Sequence, residues 1–228
     1  MSESAGEKYV WKEIPGSSHD LLRRRIQALP PGQRLLDLGA AGGHLGRAVR
    51  DRCAYLAGVE PDASLPASCR EGYDDWRSTD ALSCGTWDRP FDVVVCADVL
   101  EHLPRPEELL SLIHGWLRPG GRLFVSLPNV ANFTVRAALL AGRFPYADRG
   151  ILDRTHLRFY TRRSARALIE SAGFHVREIA ATAVPYELAA AFLERAPLRG
   201  PVRMFASVSS RLWPAMFGYQ TVIEAERL

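Results

Sequence analysis

Lysine is almost missing from this 228-residue chain: only Lys8 and Lys12 occur, so arginine carries nearly all of the positive charge. Charge of one sign is not in excess either. The 29 basic residues nearly cancel 26 acidic ones and leave a formal charge of +3, which gives no general footprint for a nucleic-acid polyanion. Cysteine is sparse, and Cys53, Cys69, Cys84 and Cys96 form no C-x-x-C pair and have no histidine at ligand spacing. Free thiols, a reducing compartment and no metal site are therefore expected. No run of about 18 apolar residues exists, and MSESAGEKYVWKEIPGSS lacks the basic start and apolar stretch of a signal peptide. The expectation is a cytoplasmic protein with no stable membrane insertion. With 47% hydrophobic and 24% charged residues, a collagen, a coiled coil and a disordered chain are excluded, and the length suits one domain spanning 1–228.

Apolar runs of strand length alternate with segments of helical period, the pattern of a parallel sheet covered on both faces. Ser17-Ser18 can cap a first helix running to about Leu29. Strands are expected at Arg34–Leu38, Ala54–Glu60, weakly at Gly72–Trp76, then at Phe91–Ala97, Arg122–Leu127, Phe174–Ala181 and Tyr219–Ala225. Helices are expected at Gly43–Asp51, Glu107–Leu117, Val130–Leu140 and Arg162–Ala172, with Pro61–Arg70 short or broken by Pro66. Pro119-Gly120-Gly121 reads as a turn. Two segments stand apart: Gly142–Tyr160, a loop dense in arginine and aromatics, and Pro185–Pro214, an insertion with apolar helical stretches. The fold class is α/β with a Rossmann-like seven-stranded sheet.

The richest stretch is Leu35-Leu36-Asp37-Leu38-Gly39-Ala40-Ala41-Gly42-Gly43. Small residues between a strand and a helix let the backbone turn tightly and let a ligand approach the carboxyl edge of the sheet. Glu60 stands 21 residues after Gly39, at the end of the second strand, where a carboxylate can accept from both hydroxyls of a ribose. The dinucleotide fingerprint G-x-G-x-x-G fits poorly, since Ala41 and His44 fall on its second and third glycines. An acidic residue two before the first glycine better suits a cofactor with cationic amino and sulfonium groups than one with a pyrophosphate. S-adenosylmethionine is such a cofactor.

The ordered set LLDLGAAGG, GVEPDA, FDVVVCADVLEHLPRPEELL and LRPGGRLFVSLPN, from Leu35 to Asn129, resembles class I S-adenosylmethionine-dependent methyltransferases. GRFPYADRGILDRTHLRFYT and ARALIESAGF, reaching Phe174, resemble the branch that holds ubiquinone-pathway O-methyltransferase relatives and methyltransferases of glycan and natural-product pathways. The resemblance implies that the last strand is antiparallel. It also implies Asp37 and Gly39 near the methionine end of the cofactor, Glu60 at the ribose, Asp80 or Ala81 at the adenine amino group, and Asp98 near the methionine amine or the methyl, with Ala40, Gly43 and Pro61 also among the cofactor-binding residues. Ala41 departs from the family pattern, which often has glycine there.

Methyl transfer to a hydroxyl asks the protein to align the nucleophile and remove its proton, a task suited to histidine. His156, in the Gly142–Tyr160 loop, is the first choice for the base and His102, after the fourth strand, the second; each also has a plain anchoring reading. The loop at 143–160 is expected to be an active-site lid, and 185–214 a cap, a dimer surface, a membrane-leaning patch or plain packing. The expected activity is methylation of a hydroxyl on a small molecule, with an amine on an amino sugar as the nearest alternative. Nucleic-acid methylation is disfavoured, because Ala97-Asp98-Val99-Leu100 stands where exocyclic-amine enzymes carry Asn/Asp-Pro-Pro-aromatic. A nicotinamide dehydrogenase and a non-catalytic cofactor binder are more distant alternatives, and a homodimer is compatible with the chain.

Overall fold

The computed structural model describes residues 15–183 and 207–228. Seven strands form one sheet: β1 (Gln33–Leu38), β2 (Cys53–Val59), β3 (Asp75–Arg77), β4 (Phe91–Ala97), β5 (Leu117–Pro128), β6 (Phe174–Ala181) and β7 (Gln220–Arg227). Their order is β3-β2-β1-β4-β5-β7-β6, and only β7 runs antiparallel, against both β5 and β6. The strand order reverses between β1 and β4, so a crevice opens outside their carboxyl ends, which is where open α/β sheets bind ligands.

Side chains alternate along each strand and split the core in two. Leu35, Val93, Val95, Phe124 and Val222 face one way and pack with Leu22 and Ile26 of α1 (Ser18–Gln27) and Leu45 of α2 (His44–Ala48). Leu36, Leu38, Val94, Cys96, Val125 and Ile223 face the other way. They meet Leu109, Leu110 and Ile113 of α3 (Pro106–Trp116) and Ala165 and Ile169 of α5 (Arg162–Ser171). Burial on both faces explains why Val93-Val94-Val95 is an unbroken apolar run. Local sequence sets the helix ends: Ser17 accepts from the Asp20 amide to cap α1, Pro106 opens α3, and Thr161 and Ser164 close a capping box on α5.

Several boundaries differ from those the sequence suggests, each for a local reason. The third strand is Asp75–Arg77 rather than Gly72–Trp76, because Gly72 adopts φ +86° and pairing with β2 begins only at Ala57 opposite Asp75. The Pro119-Gly120-Gly121 turn lies inside β5 as a bulge: Leu117 pairs with Phe91, and Arg122 already pairs with Val93. Helix α2 stops at Ala48 and gives way to a 3-10 turn at Arg50–Arg52. Helix α4 is Phe133–Leu140, since Asn132 caps it and Val130 is tied to Tyr160. Of the Pro185–Pro214 insertion, residues 185–206 lie outside the described residues; 207–212 is helical and Pro214 opens the short α6 (Pro214–Phe217). The four cysteines are free thiols. No helix among the described residues is long and apolar enough to cross a membrane.

Candidate active site

The carboxyl ends of β1, β2 and β4 carry Asp37 to Gly43, Glu60 and Asp98, whereas Asp80 and Ala81 follow β3 and His156 comes from the 143–160 segment. Gly39 and Ala40 leave β1 with both amides donating to the Val59 carbonyl, which fastens the turn to the end of β2. Gly39 and Gly43 take φ +69° and +67°, and neither tolerates a side chain. A Cβ on Gly39 would sit 2.6 Å from Val99 Cγ2, and one on Gly43 2.0 Å from the Cys69 carbonyl oxygen. Ala41 holds a left-handed φ of +46°, the conformation that makes glycine common at this place. A methyl is tolerated there at the cost of local strain.

Glu60 is only 8% exposed and ties the turn to the second strand: its Oε2 accepts from the Ala41 amide at 2.8 Å and its Oε1 from the Asp62 amide at 2.9 Å. A carboxylate offers about four lone-pair sites, so one on each oxygen remains for a diol. Pro61 follows on the surface. Asp80 is exposed and accepts from the Leu82 and Ser83 amides, while Ala81 is buried against the core. A cavity of about 460 Å3 between His44, Arg47, Leu65 and Glu71 adjoins the glycine turn but includes none of Glu60, Asp98, His102 and His156.

Asp37 is buried, and its Oδ2 accepts from the Tyr73 hydroxyl at 2.7 Å. Burial raises its pKa to about 6, the Tyr73 hydrogen bond opposes the rise, and the Glu60 charge adds to it. At the end of β4, Asp98 adopts φ +54° and its carboxylate is gripped from two strands. Ser126 Oγ of β5 donates to Oδ1 at 2.8 Å, and Gln220 Nε2 of β7 lies 2.8 and 3.0 Å from the two oxygens. Tyr73 and Gln220 are contributors that sequence reasoning missed. Ser126 was missed too, although a lone polar residue in the otherwise apolar Leu123–Leu127 run is a signal that marks it.

Beyond Asp98, the chain makes a 3-10 turn at Leu100–His102, and the segment 143–160 docks onto it. The Leu157 and Arg158 amides both donate to the Glu101 carbonyl, and His102 Nδ1 meets the Thr155 carbonyl at 3.2 Å. The segment has its own small core, in which Ile151 and Leu152 pack with Val135, Phe159 and Tyr219. His156 is thereby set with its ring centroid 4.9 Å from that of His102 and its Nδ1 3.1 Å from the Ile151 carbonyl. A carbonyl only accepts, so Nδ1 carries the proton and Nε2 keeps the lone pair. Burial lowers the His156 pKa, the Ile151 hydrogen bond counters this, and the neighbouring His102 lowers it further.

Comparison with known proteins decides the family: a methyltransferase domain model matches residues 10–179. The chain belongs to that methyltransferase family. The ubiquinone biosynthesis O-methyltransferase of Aeromonas salmonicida is 28% identical over 159 residues, 65% of this chain and 65% of that protein. Matches to other enzymes of that name span 43% to 50% of their length. Among solved structures, a SAM-dependent methyltransferase from Archaeoglobus fulgidus superposes with a TM-score of 0.64 at 21% identity, covering 93% of this chain and 95% of that one. The N-methyltransferase NodS from Bradyrhizobium japonicum, solved with S-adenosylhomocysteine, gives 0.59 at 14% identity, covering 95% and 89%.

The methyltransferase is of class I, and its cofactor is S-adenosylmethionine. The residues fit that cofactor. The positive-φ glycines hold a tight turn with no room for side chains between it and Val99 or Cys69, so its backbone is what faces a ligand at the strand edge; Glu60 has free acceptor sites beside it, and two carboxylates, Asp37 and Asp98, stand at the same strand edge to match a cationic ligand.

Proposed function

We propose that this methyltransferase methylates a hydroxyl of a small molecule, such as a sugar, a phenol or a natural product, and that His156 removes the hydroxyl proton. The observation that carries this reading is the tautomer of His156. Its Nδ1 is committed to the Ile151 carbonyl, so Nε2 is a basic nitrogen held on a docked segment next to the β4 edge. When bound, S-adenosylmethionine supplies a methyl on a positively charged sulfur, so attack by the acceptor oxygen forms a C–O bond and breaks the C–S bond, leaving the electron pair on sulfur.

The chain's own residues divide the remaining work. Glu60 and Pro61 receive the ribose, Asp80 or Ala81 the adenine, and the Asp37–Gly43 turn the methionine end. Asp98, fixed by Ser126 and Gln220, holds the methionine amine or borders the methyl. His102, anchored to Thr155, keeps the 143–160 segment closed on the site and lines His156. Phe144, Tyr146 and Phe159 form a contiguous edge-to-face aromatic group beside His156, a surface suited to an acceptor ring. The O-methyltransferase names of the sequence relatives support a hydroxyl over an amine as acceptor.

Methyl-labelled S-adenosylmethionine offered with matched hydroxyl and amine acceptors tests the reading. Label should enter hydroxyl compounds, and His156→Gln should lower turnover about 100-fold or more while S-adenosylhomocysteine binds as before. Label on amines alone, or full turnover in His156→Gln, would overturn it.

A further inference from the structure

Glu101 is the least expected side chain near the site. It is 1% exposed, and neither of its carboxylate oxygens has a hydrogen-bond partner. A buried, unpartnered carboxylate is expensive, and it is kept only where a proton or a cation completes it. Burial moves its pKa well above the ordinary glutamate range, and the Asp98 and Asp153 charges push it further the same way. Two imidazoles stand beside it. One ligand atom from each of Glu101, His102 and His156 lies within 4.8 Å of the other two. Both rings are oriented as metal-ligating imidazoles usually are, with Nδ1 engaged by a backbone carbonyl, Thr155 for His102 and Ile151 for His156, which leaves Nε2 as the lone-pair nitrogen on each.

We infer that Glu101, His102 and His156 form a site for a divalent first-row transition ion of the zinc type. Two imidazoles and one carboxylate suit a borderline ion better than magnesium or calcium, which prefer all-oxygen shells. Three protein ligands leave a fourth position open, the arrangement of catalytic rather than structural zinc sites. The site draws Glu101 and His102 from the turn after β4 and His156 from the docked segment, so an ion would clamp that segment to the sheet edge. The inference rests on the hydroxyl-acceptor reading in one respect. A ligated imidazole cannot take a proton, so His156 serves as the base only while the site is empty; with the ion bound the acceptor hydroxyl is instead acidified by coordination at the open position and its proton passes to solvent.

The test is titration of the chelator-stripped full chain with cobalt(II), followed by its visible absorption, with zinc calorimetry alongside. The expected result is one saturable ion per chain, with affinity lowered at least about tenfold in each of Glu101→Gln, His102→Asn and His156→Gln. His102→Asn, at a partly exposed position, keeps the test valid if the buried Glu101→Gln fails to fold. Adding the ion should also raise turnover of the stripped wild type on hydroxyl acceptors. Absence of saturable binding, or binding unchanged in all three variants, would overturn the site, and binding without a rise in turnover would overturn its catalytic use. Cobalt binding in a protein that methylates no hydroxyl acceptor would instead remove the functional reading and leave the site standing.

Discussion

Asp37→Asn should make this protein more stable at neutral pH and worse at holding its cofactor. The wild-type carboxyl is raised from 3.8 to about 6 by burial. A carboxyl whose folded pKa exceeds its unfolded value binds protons more readily when folded. Its contribution to stability is therefore fully present below about pH 4, declines as the pH rises to about 6, and stays lost above that. Two pKa units at about 1.4 kcal/mol each amount to about 3 kcal/mol of destabilisation at pH 7.5. Asparagine is neutral throughout, preserves an oxygen to accept from the Tyr73 hydroxyl, and avoids that loss.

Thermal melts of the cofactor-free protein at pH 4.5, 6 and 7.5 measure the effect. At 2–4 °C per kcal/mol for a chain of this size, Asp37→Asn should melt about 6 to 12 °C above wild type at pH 7.5, with the gap shrinking towards pH 4.5. The same substitution should weaken S-adenosylmethionine about tenfold, because a charged partner is lost at the strand edge. A variant that melts below wild type at pH 7.5, or a gap that does not change with pH, would refute the reasoning. The carboxylate would then be satisfied rather than held at a cost for binding.

Gly43→Ala should destabilise by about 2 to 4 kcal/mol and abolish S-adenosylmethionine binding, because its Cβ meets a backbone oxygen at a left-handed φ; melts and calorimetry read both. Ala41→Gly should shift the melting temperature by no more than a few degrees and keep binding, since relief at φ +46° is offset by a looser unfolded chain and Glu60 uses the backbone amide. Gln220→Ala should cost about 1 to 2 kcal/mol of stability and weaken the cofactor by freeing the Asp98 carboxylate, seen by calorimetry. In the chelator-stripped enzyme, the acidic limb of the turnover profile should have its midpoint below pH 6.5, because burial holds His156 under the ordinary imidazole value and keeps it a base to lower pH. A midpoint above 6.5 would point to another group.

The sheet was legible because its central strands are apolar runs bounded by turn residues, and the glycine turn because only small residues follow Asp37 before the next helix. Glu60 was legible from its distance along the chain, since a strand, a helix and a second strand fix that interval. Strand ends were read less well: the bulge in β5 needs the register of β4, and the start of β3 needs the pairing of Ala57. The grip on Asp98 was hidden, because Gln220 lies 122 residues away and arrives only through the antiparallel pairing of β7 with β5. The Glu101, His102 and His156 cluster was hidden for the same kind of reason. Ligand spacing is sought locally, whereas the docked segment closes an interval of more than 50 residues through the Glu101 carbonyl and the Thr155 contact.

Calorimetric titration of the wild type and Glu60→Ala with S-adenosylmethionine, S-adenosylhomocysteine and NAD tests the assignment of the strand-edge site most directly. The site described above predicts that the two adenosyl compounds bind with one-to-one stoichiometry, that both are weakened by the substitution, and that NAD does not bind. Binding of NAD alone, or adenosyl affinity indifferent to Glu60, would contradict it.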